Sequence, residues 1–190
     1  VFSRILHVEA ERIGFPQTFT IYEPSDCRNL VKTILKEMNL SDENYKPQQI
    51  CSRISLAKNK LITPAAYAAN AVFAAEDRQR KQPHFAEIYD IYCRRCKHNG
   101  AMDFDDLLLQ INILFRDCPD VLARYQERFK YILVDEYQDT NCAQHSIVLQ
   151  LTEENQRVCV VGDDAQRIYS FRGANIDNIL KFTKVYRGAK

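Results

Sequence analysis

An acidic cluster that directly follows an apolar run is the part of this sequence best suited to chemistry. In KYILVDEYQDTN, residues 130–141, Asp135 and Glu136 come straight after four apolar residues. Carboxylate oxygens are ligands that Mg²⁺ prefers, and a neighbouring carboxylate can deprotonate an attacking water. An apolar strand ending in Asp-Glu is typical of nucleoside triphosphatases, so we expect Asp135 to hold Mg²⁺ and Glu136 to act on the water. Because successive side chains of a strand alternate in direction, the two carboxylates should point apart.

The same acids also have a structural explanation. They could be solvated loop residues or helix caps, with Asp139 and Thr140 capping a helix that begins at Cys142. Short motifs recur by chance, so the acidic cluster alone leaves the catalytic and the capping interpretations open.

A second candidate segment is GDDAQRIYSFRGA, residues 162–174, which follows another apolar run. Gln166 could form a hydrogen bond to a terminal phosphate or to its attacking water. Tyr169 and Phe171 alternate with arginines, a composition that suits stacking on unpaired bases and guanidinium contacts to a nucleic-acid backbone. The alternative is that both aromatic residues belong to the core and anchor a loop.

Two strands are needed to position these segments. Residues 131–134 and 158–161 are continuously apolar, which predicts strands buried on both faces of a parallel sheet. Residues 142–151 between them have helical spacing, so the region reads as a β-α-β unit. Functional groups gather beyond the carboxyl ends of parallel strands, which is where both candidate segments begin.

The rest of the chain is predicted to be mainly helical. A helix over 1–13 should end at Gly14, and a strand is expected over 18–22. Ser25 or Asp26 can cap the next helix. Further helices are predicted over 25–37, 47–58, 63–73, 85–97, 103–115, 119–129 and 175–186.

Composition limits the possible classes of protein. A chain of 190 residues can bury one sizeable core, alone or with a small satellite, and the net charge of +1 argues against a polybasic nucleic-acid tail. Seven cysteines, an odd number, favour reduced thiols and a cytoplasmic location. No signal peptide or membrane-spanning run is predicted, so we expect no membrane partner.

Several motifs in order resemble those of the superfamily 1 DNA helicases of the UvrD/Rep/PcrA type. VDEYQDTN at 134–141 and VVGDDAQRIYSFRGA at 160–174 resemble motifs II and III of that family. FSRILHVEAERIG and TFTIYEP resemble the stretch after motif Ib, ISLAKNKLITPAAY resembles part of the helical 1B subdomain, and AMDFDDLL resembles the return to the 1A core. The resemblance covers nearly the whole chain.

The resemblance implies an α/β fold with a partial RecA-like parallel sheet of the P-loop NTPase type and an all-helical inserted subdomain. Residues 1–22 and 100–190 would belong to the 1A motor core, and residues 23–99 to the 1B subdomain. The implied activity is ATP-dependent translocation and 3′ to 5′ unwinding, with ATP and Mg²⁺ as cofactors. The implied partners are single-stranded DNA and single-strand/double-strand junctions.

The resemblance also implies roles for individual residues. Asp135 and Glu136 would bind the metal and ATP, with Glu136 as the catalytic base, and Gln166 would couple the γ-phosphate to the DNA site. Tyr169, Phe171 and Arg172 would contact single-stranded DNA. Two positions depart from the family pattern: Arg167 replaces a common serine, and Phe171 stands where many members have tryptophan.

The phosphate-binding loop of such enzymes is absent from this sequence. None of the five glycines begins G-x-x-x-x-G-K-[ST], so we expect the chain, as a fragment, neither to hydrolyse ATP nor to unwind DNA. Two other functions share these motifs: the helicase subunit of a recombination helicase-nuclease, and a catalytically dead helicase-like DNA-binding module.

The remaining candidates are weaker. Cys93 and Cys96 form a lone CxxC in a helical pattern, so no zinc is expected. DFDDL at 103–107 is interpreted as a helix start with favourable acids rather than a two-metal nuclease site. The basic patch formed by Arg78, Arg80 and Lys81 suits a solvated turn, and Lys58 and Lys60 are candidates for contact with a DNA backbone.

Overall fold

The chain is a mixed α/β protein in which helices predominate. The computed structural model describes residues 1–41, 43–162 and 182–186. The helices are α1 (Phe2–Glu9), α2 (Pro24–Glu37), α3 (Pro47–Asn59), α4 (Pro64–Ala68), α5 (Ala71–Gln79), α6 (Phe85–His98), α7 (Phe104–Asp117), α8 (Pro119–Arg128), α9 (Cys142–Thr152) and α10 (Phe182–Val185). The strands are β1 (Thr20–Tyr22), β2 (Ala101–Asp103), β3 (Ile132–Val134) and β4 (Val158–Val160), and 3₁₀ turns span Ala10–Ile13 and Tyr137–Asp139.

The strands form two short parallel pairs. In one pair β3 lies beside β4 with Ile132 opposite Val158, and α9 provides the crossover, so the predicted β-α-β unit is confirmed. In the other pair β1 lies beside β2 with Thr20 opposite Ala101. β2 was not predicted, because its three residues, the last of which is the helix cap Asp103, are too few to show an alternating pattern.

The prediction that β3 and β4 are buried on both faces is wrong. Leu133 is 78% exposed, and Cys159 in the neighbouring strand is also exposed. Their neighbours Ile132 and Val158 are half-buried, so one face packs on the chain and the other meets solvent. A continuous apolar run gives the strand but does not specify what covers each face.

Two hydrophobic clusters organise the interior. The first core is built from α1, the first 3₁₀ turn, β2, α7, α8 and α9 and comprises Ile5, Leu6, Ala10, Phe15, Phe19, Met102, Ile111, Leu114, Phe115, Cys118, Val121, Tyr125, Ile147 and Leu151. The second core is built mainly from α2, α3, α4 and α6 and comprises Val31, Ile34, Leu35, Tyr45, Ile50, Ile54, Ala57, Tyr67, Phe85, Ile88, Tyr89, Tyr92 and Cys96. No helix in the described ranges is long and apolar enough to cross a membrane.

Two of the predicted helix boundaries are wrong. The helix expected over 63–73 is two helices, because Asn70 interrupts it and caps α5 by accepting a hydrogen bond from Val72 N at 2.9 Å. The cap of α2 is Glu23 rather than Ser25 or Asp26, and Asp26 completes the capping box by accepting from Glu23 N at 2.9 Å. Proline at the first helical position explains why α2 begins one residue earlier than expected.

Gly100 and Gly14 give a matched pair for testing backbone strain. Both have positive φ, 58° and 76°, and Gly14 ends the first 3₁₀ turn as predicted. A Cβ on Gly100 would lie 2.9 Å from Pro16 Cγ, whereas one on Gly14 would meet only the end of the Lys97 side chain at 3.0 Å. We expect Gly100→Ala to lower the free energy of unfolding by about 2 kcal/mol and Gly14→Ala by about 1 kcal/mol. Urea unfolding of the 190-residue chain measures both, and equal losses would contradict the steric argument.

Candidate active site

The loop that carries Asp135 and Glu136 is fixed to the end of the β3–β4 pair by backbone hydrogen bonds. Val161 N donates to Val134 O at 2.8 Å, and Tyr137 N donates to Val161 O at 2.9 Å. The two strands therefore stay paired beyond their last residues. The two carboxylates are brought to the carboxyl end of a parallel pair, as predicted.

Glu136 lies at a backbone turn rather than on an extended strand. Its φ of 50° and ψ of 45° are left-handed, which is uncommon for a residue with a side chain and is seen often at functional sites. Its N–H donates to Asp135 Oδ1 at 2.9 Å. We predicted that the two carboxylates point apart because side chains alternate along a strand. That reason does not apply, since β3 ends at Val134 and the chain then turns.

Hydrogen bonds inside the loop hold Glu136 in place. Gln138 Nε2 donates to Glu136 Oε2, and Asp139 N donates to Glu136 O at 2.9 Å. Thr140 Oγ1 donates to Tyr137 O at 2.7 Å. Gln138 and Thr140 are both buried, so they stabilise the loop from inside while the Asp135 and Glu136 side chains stay exposed.

Tyr137 anchors the same loop to the interior of the chain. It is fully buried, its hydroxyl is hydrogen-bonded to His145 Nδ1 at 2.7 Å, and its ring packs edge-on against Phe182 with centroids 5.8 Å apart. Burial raises the pKa of Tyr137 to about 12 and lowers the pKa of His145, so the pair is held neutral at physiological pH. The loop is thus fastened to both α9 and α10.

The prediction that Asp139 and Thr140 cap α9 is wrong, because Asn141 caps this helix. Its side-chain oxygen accepts from Gln144 N at 2.9 Å, and its own N–H donates to Gln144 Oε1 at 3.0 Å. Glu136 directly precedes the 3₁₀ turn Tyr137–Asp139, but its side chain forms no capping hydrogen bond there. No lysine or arginine in the described ranges forms an ion pair with Asp135 or Glu136. Their charges are left available.

This arrangement fits a magnesium ion. Asp135 and Glu136 offer hard oxygen ligands that are exposed and, within the part of the chain that the structure describes, form no ion pair. The described part of the chain holds no group of three or more possible metal ligands, so these carboxylates would provide only part of the coordination. Mg²⁺ suits that situation, since it usually keeps several waters and takes other ligands from substrate phosphates.

The second predicted group of site residues lies outside the described residues. It comprises Gln166, Arg167, Tyr169, Phe171 and Arg172, and their roles stay predictions.

Lys58 is not a DNA contact, contrary to prediction. Its side chain is fully buried, with Nζ 2.6 Å from Asp103 Oδ2 and 2.8 Å from Asp106 Oδ1. Asp103 and Asp106 also form the capping box of α7, so the prediction that DFDDL starts a helix is confirmed. Lys60, two residues further on, is exposed, and its contact with DNA stays a prediction.

Three ionisable groups, Lys58, Asp103 and Asp106, share this buried space. Burial alone would lower the pKa of Lys58, but the carboxylates of Asp103 and Asp106 raise it well above its ordinary value. Burial would raise the pKa of Asp103, but Lys58 and a 2.8 Å hydrogen bond from the Tyr92 hydroxyl lower it. For Asp106, burial and the neighbouring Asp103 carboxylate outweigh Lys58 and raise the pKa to about 7.

The cysteines differ in exposure: Cys96 and Cys118 are buried, whereas Cys142 and Cys159 are exposed. All seven are free, as predicted, and Cys96 lies in the second core. Burial raises the pKa of the Cys93 thiol to about 12, which disfavours the thiolate that a zinc site requires.

Sequence reasoning missed Asn59. It is 3% exposed and contacts the loop residue Asn141 across 82 positions of sequence. Neighbouring residues give no signal of so distant a hydrogen bond.

Comparisons with known proteins identify the relatives of this chain. Residues 1–187 match the protein family described as UvrD/REP helicase N-terminal domain. The chain is 44% identical over 186 residues to the ATP-dependent DNA helicase PcrA of Leuconostoc citreum, a match that covers 98% of this chain and 24% of that protein. It is 43% identical over 183 residues to PcrA of Staphylococcus aureus strain Mu50, covering 96% of this chain and 24% of that protein. The chain therefore spans about a quarter of the length of these relatives.

Proposed function

Since the chain belongs to the UvrD/REP helicase family, we propose that it is part of an ATP-dependent DNA helicase. The proposed enzyme moves 3′ to 5′ on single-stranded DNA and unwinds duplex at junctions. The single observation that carries the proposal is the exposed Asp135–Glu136 pair at the carboxyl end of β3, which forms no ion pair among the described residues, in a chain 44% identical to a protein named as an ATP-dependent DNA helicase.

In this proposal Asp135 provides an oxygen ligand for Mg²⁺, which when bound neutralises charge on the transferred phosphate. Glu136 orients the attacking water and accepts its proton. The hydrogen bond from Gln138 supports this role, because it aims one carboxylate oxygen and leaves the other free for the water. Gln166 couples the γ-phosphate to the DNA site, and Tyr169, Phe171 and Arg172 contact single-stranded DNA.

We further propose that residues 1–22 and 100–190 form part of a RecA-like motor core and that residues 23–99 form a helical subdomain. The division of the interior supports this, because among the described residues every buried member of the first core lies outside 23–99 and every buried member of the second lies within that range. The parallel β3–β4 pair with its α9 crossover is compatible with a RecA-like sheet.

ATP hydrolysis and strand separation by a full-length protein containing this sequence test the proposal. We expect single-stranded DNA to stimulate hydrolysis, and duplexes with a 3′ single-stranded tail to be unwound faster than those with a 5′ tail. The 190-residue chain alone should do neither, because it contains no phosphate-binding loop. A rate of ATP hydrolysis that does not change when single-stranded DNA is added would contradict the proposal. Faster unwinding of duplexes with a 5′ tail would also contradict it.

A further inference from the structure

Asn59 forms hydrogen bonds in two directions from the end of α3. Its Nδ2 donates to Ser55 O at 2.9 Å and to Asp105 Oδ1 at 2.8 Å. Its Oδ1 accepts from Asn141 Nδ2 at 2.7 Å. A carbonyl and a carboxylate can only accept, so these partners fix which way the Asn59 amide faces and leave its oxygen for Asn141.

The orientation of the Asn141 amide is also fixed by its hydrogen bonds. Its oxygen is taken by the N–H of Gln144, which leaves its NH₂ group to meet Asn59. Both asparagines are buried, at 3% and 7% exposure, so water is poorly placed to replace their mutual hydrogen bond. The bond joins α3 to the residue that closes the Asp135–Glu136 loop.

The end of α3 is itself a fixed point. Lys58, adjacent to Asn59, is clamped between Asp103 and Asp106 at the start of α7. Upstream, Ile50, Ile54 and Ala57 pack in the second core. Asn59 therefore has little freedom to follow a moving partner, and Asn141 is held where α3 places it.

The constraint reaches Glu136 through contacts already present in the loop. Next to Asn141, Thr140 donates to the carbonyl of Tyr137, the neighbour of Glu136. A shift of Asn141 would therefore pull on Thr140 and, through this hydrogen bond, on the backbone next to Glu136.

We propose that Asn59 is a positioning residue that holds the Asp135–Glu136 loop, through Asn141, from the helical part of the chain. The catalytic consequence rests on the proposed role of that loop in ATP hydrolysis. The hydrogen bond between Asn59 and Asn141 does not depend on that proposed role. The holding of the loop and its effect on catalysis are therefore measured separately.

The experiment uses a full-length protein containing this sequence and compares Asn59→Ala with Asn141→Ser. Serine is a good helix cap, so Asn141→Ser keeps the start of α9 while removing the amide donor, and it remains informative if Asn59→Ala folds poorly. Ser52→Ala is the matched control, because Ser52 is exposed on the same helix and its hydroxyl donates to Gln48 O at 2.9 Å.

Amide hydrogen exchange of residues 135–141 is the first readout. We expect both variants to raise exchange there about tenfold, with Ser52→Ala unchanged. In DNA-stimulated ATP hydrolysis, each variant should lower kcat about tenfold and leave KM for ATP within about twofold, since a misplaced catalytic loop slows the reaction more than it weakens binding. The double variant should be no slower than either single variant, because both remove the same hydrogen bond.

Unchanged exchange at 135–141 in both variants would overturn the inference, whatever the enzyme activity. Multiplicative losses of kcat in the double variant would also overturn it, since independent defects multiply. A full-length wild-type protein without DNA-stimulated hydrolysis would refute the proposed function instead, and the exchange data would still decide whether Asn59 holds the loop.

Discussion

Replacing Glu136 by glutamine in a full-length protein containing this sequence is expected to lower kcat of DNA-stimulated ATP hydrolysis by about 10²–10⁴-fold. The amide has nearly the same size as the carboxylate but cannot accept the proton of the attacking water. Its oxygen can still accept the hydrogen bond from Gln138, so the loop should keep its shape. Phosphate release at saturating single-stranded DNA measures the effect.

Measurements of ligand binding distinguish loss of the catalytic base from loss of the folded structure. ATP and single-stranded DNA should bind Glu136→Gln with nearly wild-type affinity. The matched control is Glu154→Gln, an exposed acid just beyond α9, which should leave kcat unchanged. Activity of Glu136→Gln within about twofold of wild type would remove Glu136 from the role of catalytic base.

Replacing Lys58 by methionine is expected to lower the free energy of unfolding of the chain by about 3–5 kcal/mol. Methionine fills a similar volume but leaves the buried carboxylates of Asp103 and Asp106 without their cation. Lys60→Met, at an exposed position two residues away, should change stability by less than about 0.5 kcal/mol. Urea unfolding of the three proteins makes the comparison.

The loss should grow as the pH rises. The pKa of Asp106 is about 7 in the folded chain against an ordinary value of 3.8, so the folded state holds this proton more tightly than the unfolded state. Its stabilising contribution is complete below about 3.8 and is lost as the pH rises through about 7. Without Lys58 the two carboxylates repel each other unopposed, so the stability gap from wild type should be wider at pH 8 than at pH 5.

Replacing the two buried acids by neutral side chains should restore the stability lost in Lys58→Met. Lys58→Met combined with Asp103→Asn and Asp106→Asn should recover much of the lost stability, because asparagine at 103 remains a good cap for α7. It should also remove the pH dependence. A gap between Lys58→Met and wild type that does not change with pH would show that lost packing, rather than unpaired charge, destabilises the variant.

Local patterns were enough to predict much of the fold. Gly14 and Pro119 mark helix boundaries through backbone geometry that needs no distant partner, and the β3–β4 unit followed from two apolar runs around a helical period. The acidic loop was found because Asp135 and Glu136 are adjacent in sequence and lie at a strand end.

Features that depend on distant contacts were not predictable in this way. A lysine near the end of a helix looks solvated, and only the arrival of Asp103 and Asp106 from α7 explains the burial of Lys58. The exposure of Leu133 depends on what covers the sheet, which its own side chain does not reveal. The left-handed backbone of Glu136 belongs to a residue type that rarely adopts it, so propensity argues against the observed turn.

The pairing of β1 with β2 has a consequence for how this chain can change during evolution. The polypeptide leaves the pair after Tyr22 and returns at Ala101, whose partner Thr20 is only two residues before the exit. Everything between is tethered at two neighbouring points, so insertions or deletions among those helices leave the strand register untouched. The helical segment can therefore vary in length and surface while β1 and β2 stay the same, provided that Lys58 and Asn59 keep their contacts with Asp103, Asp106 and Asn141.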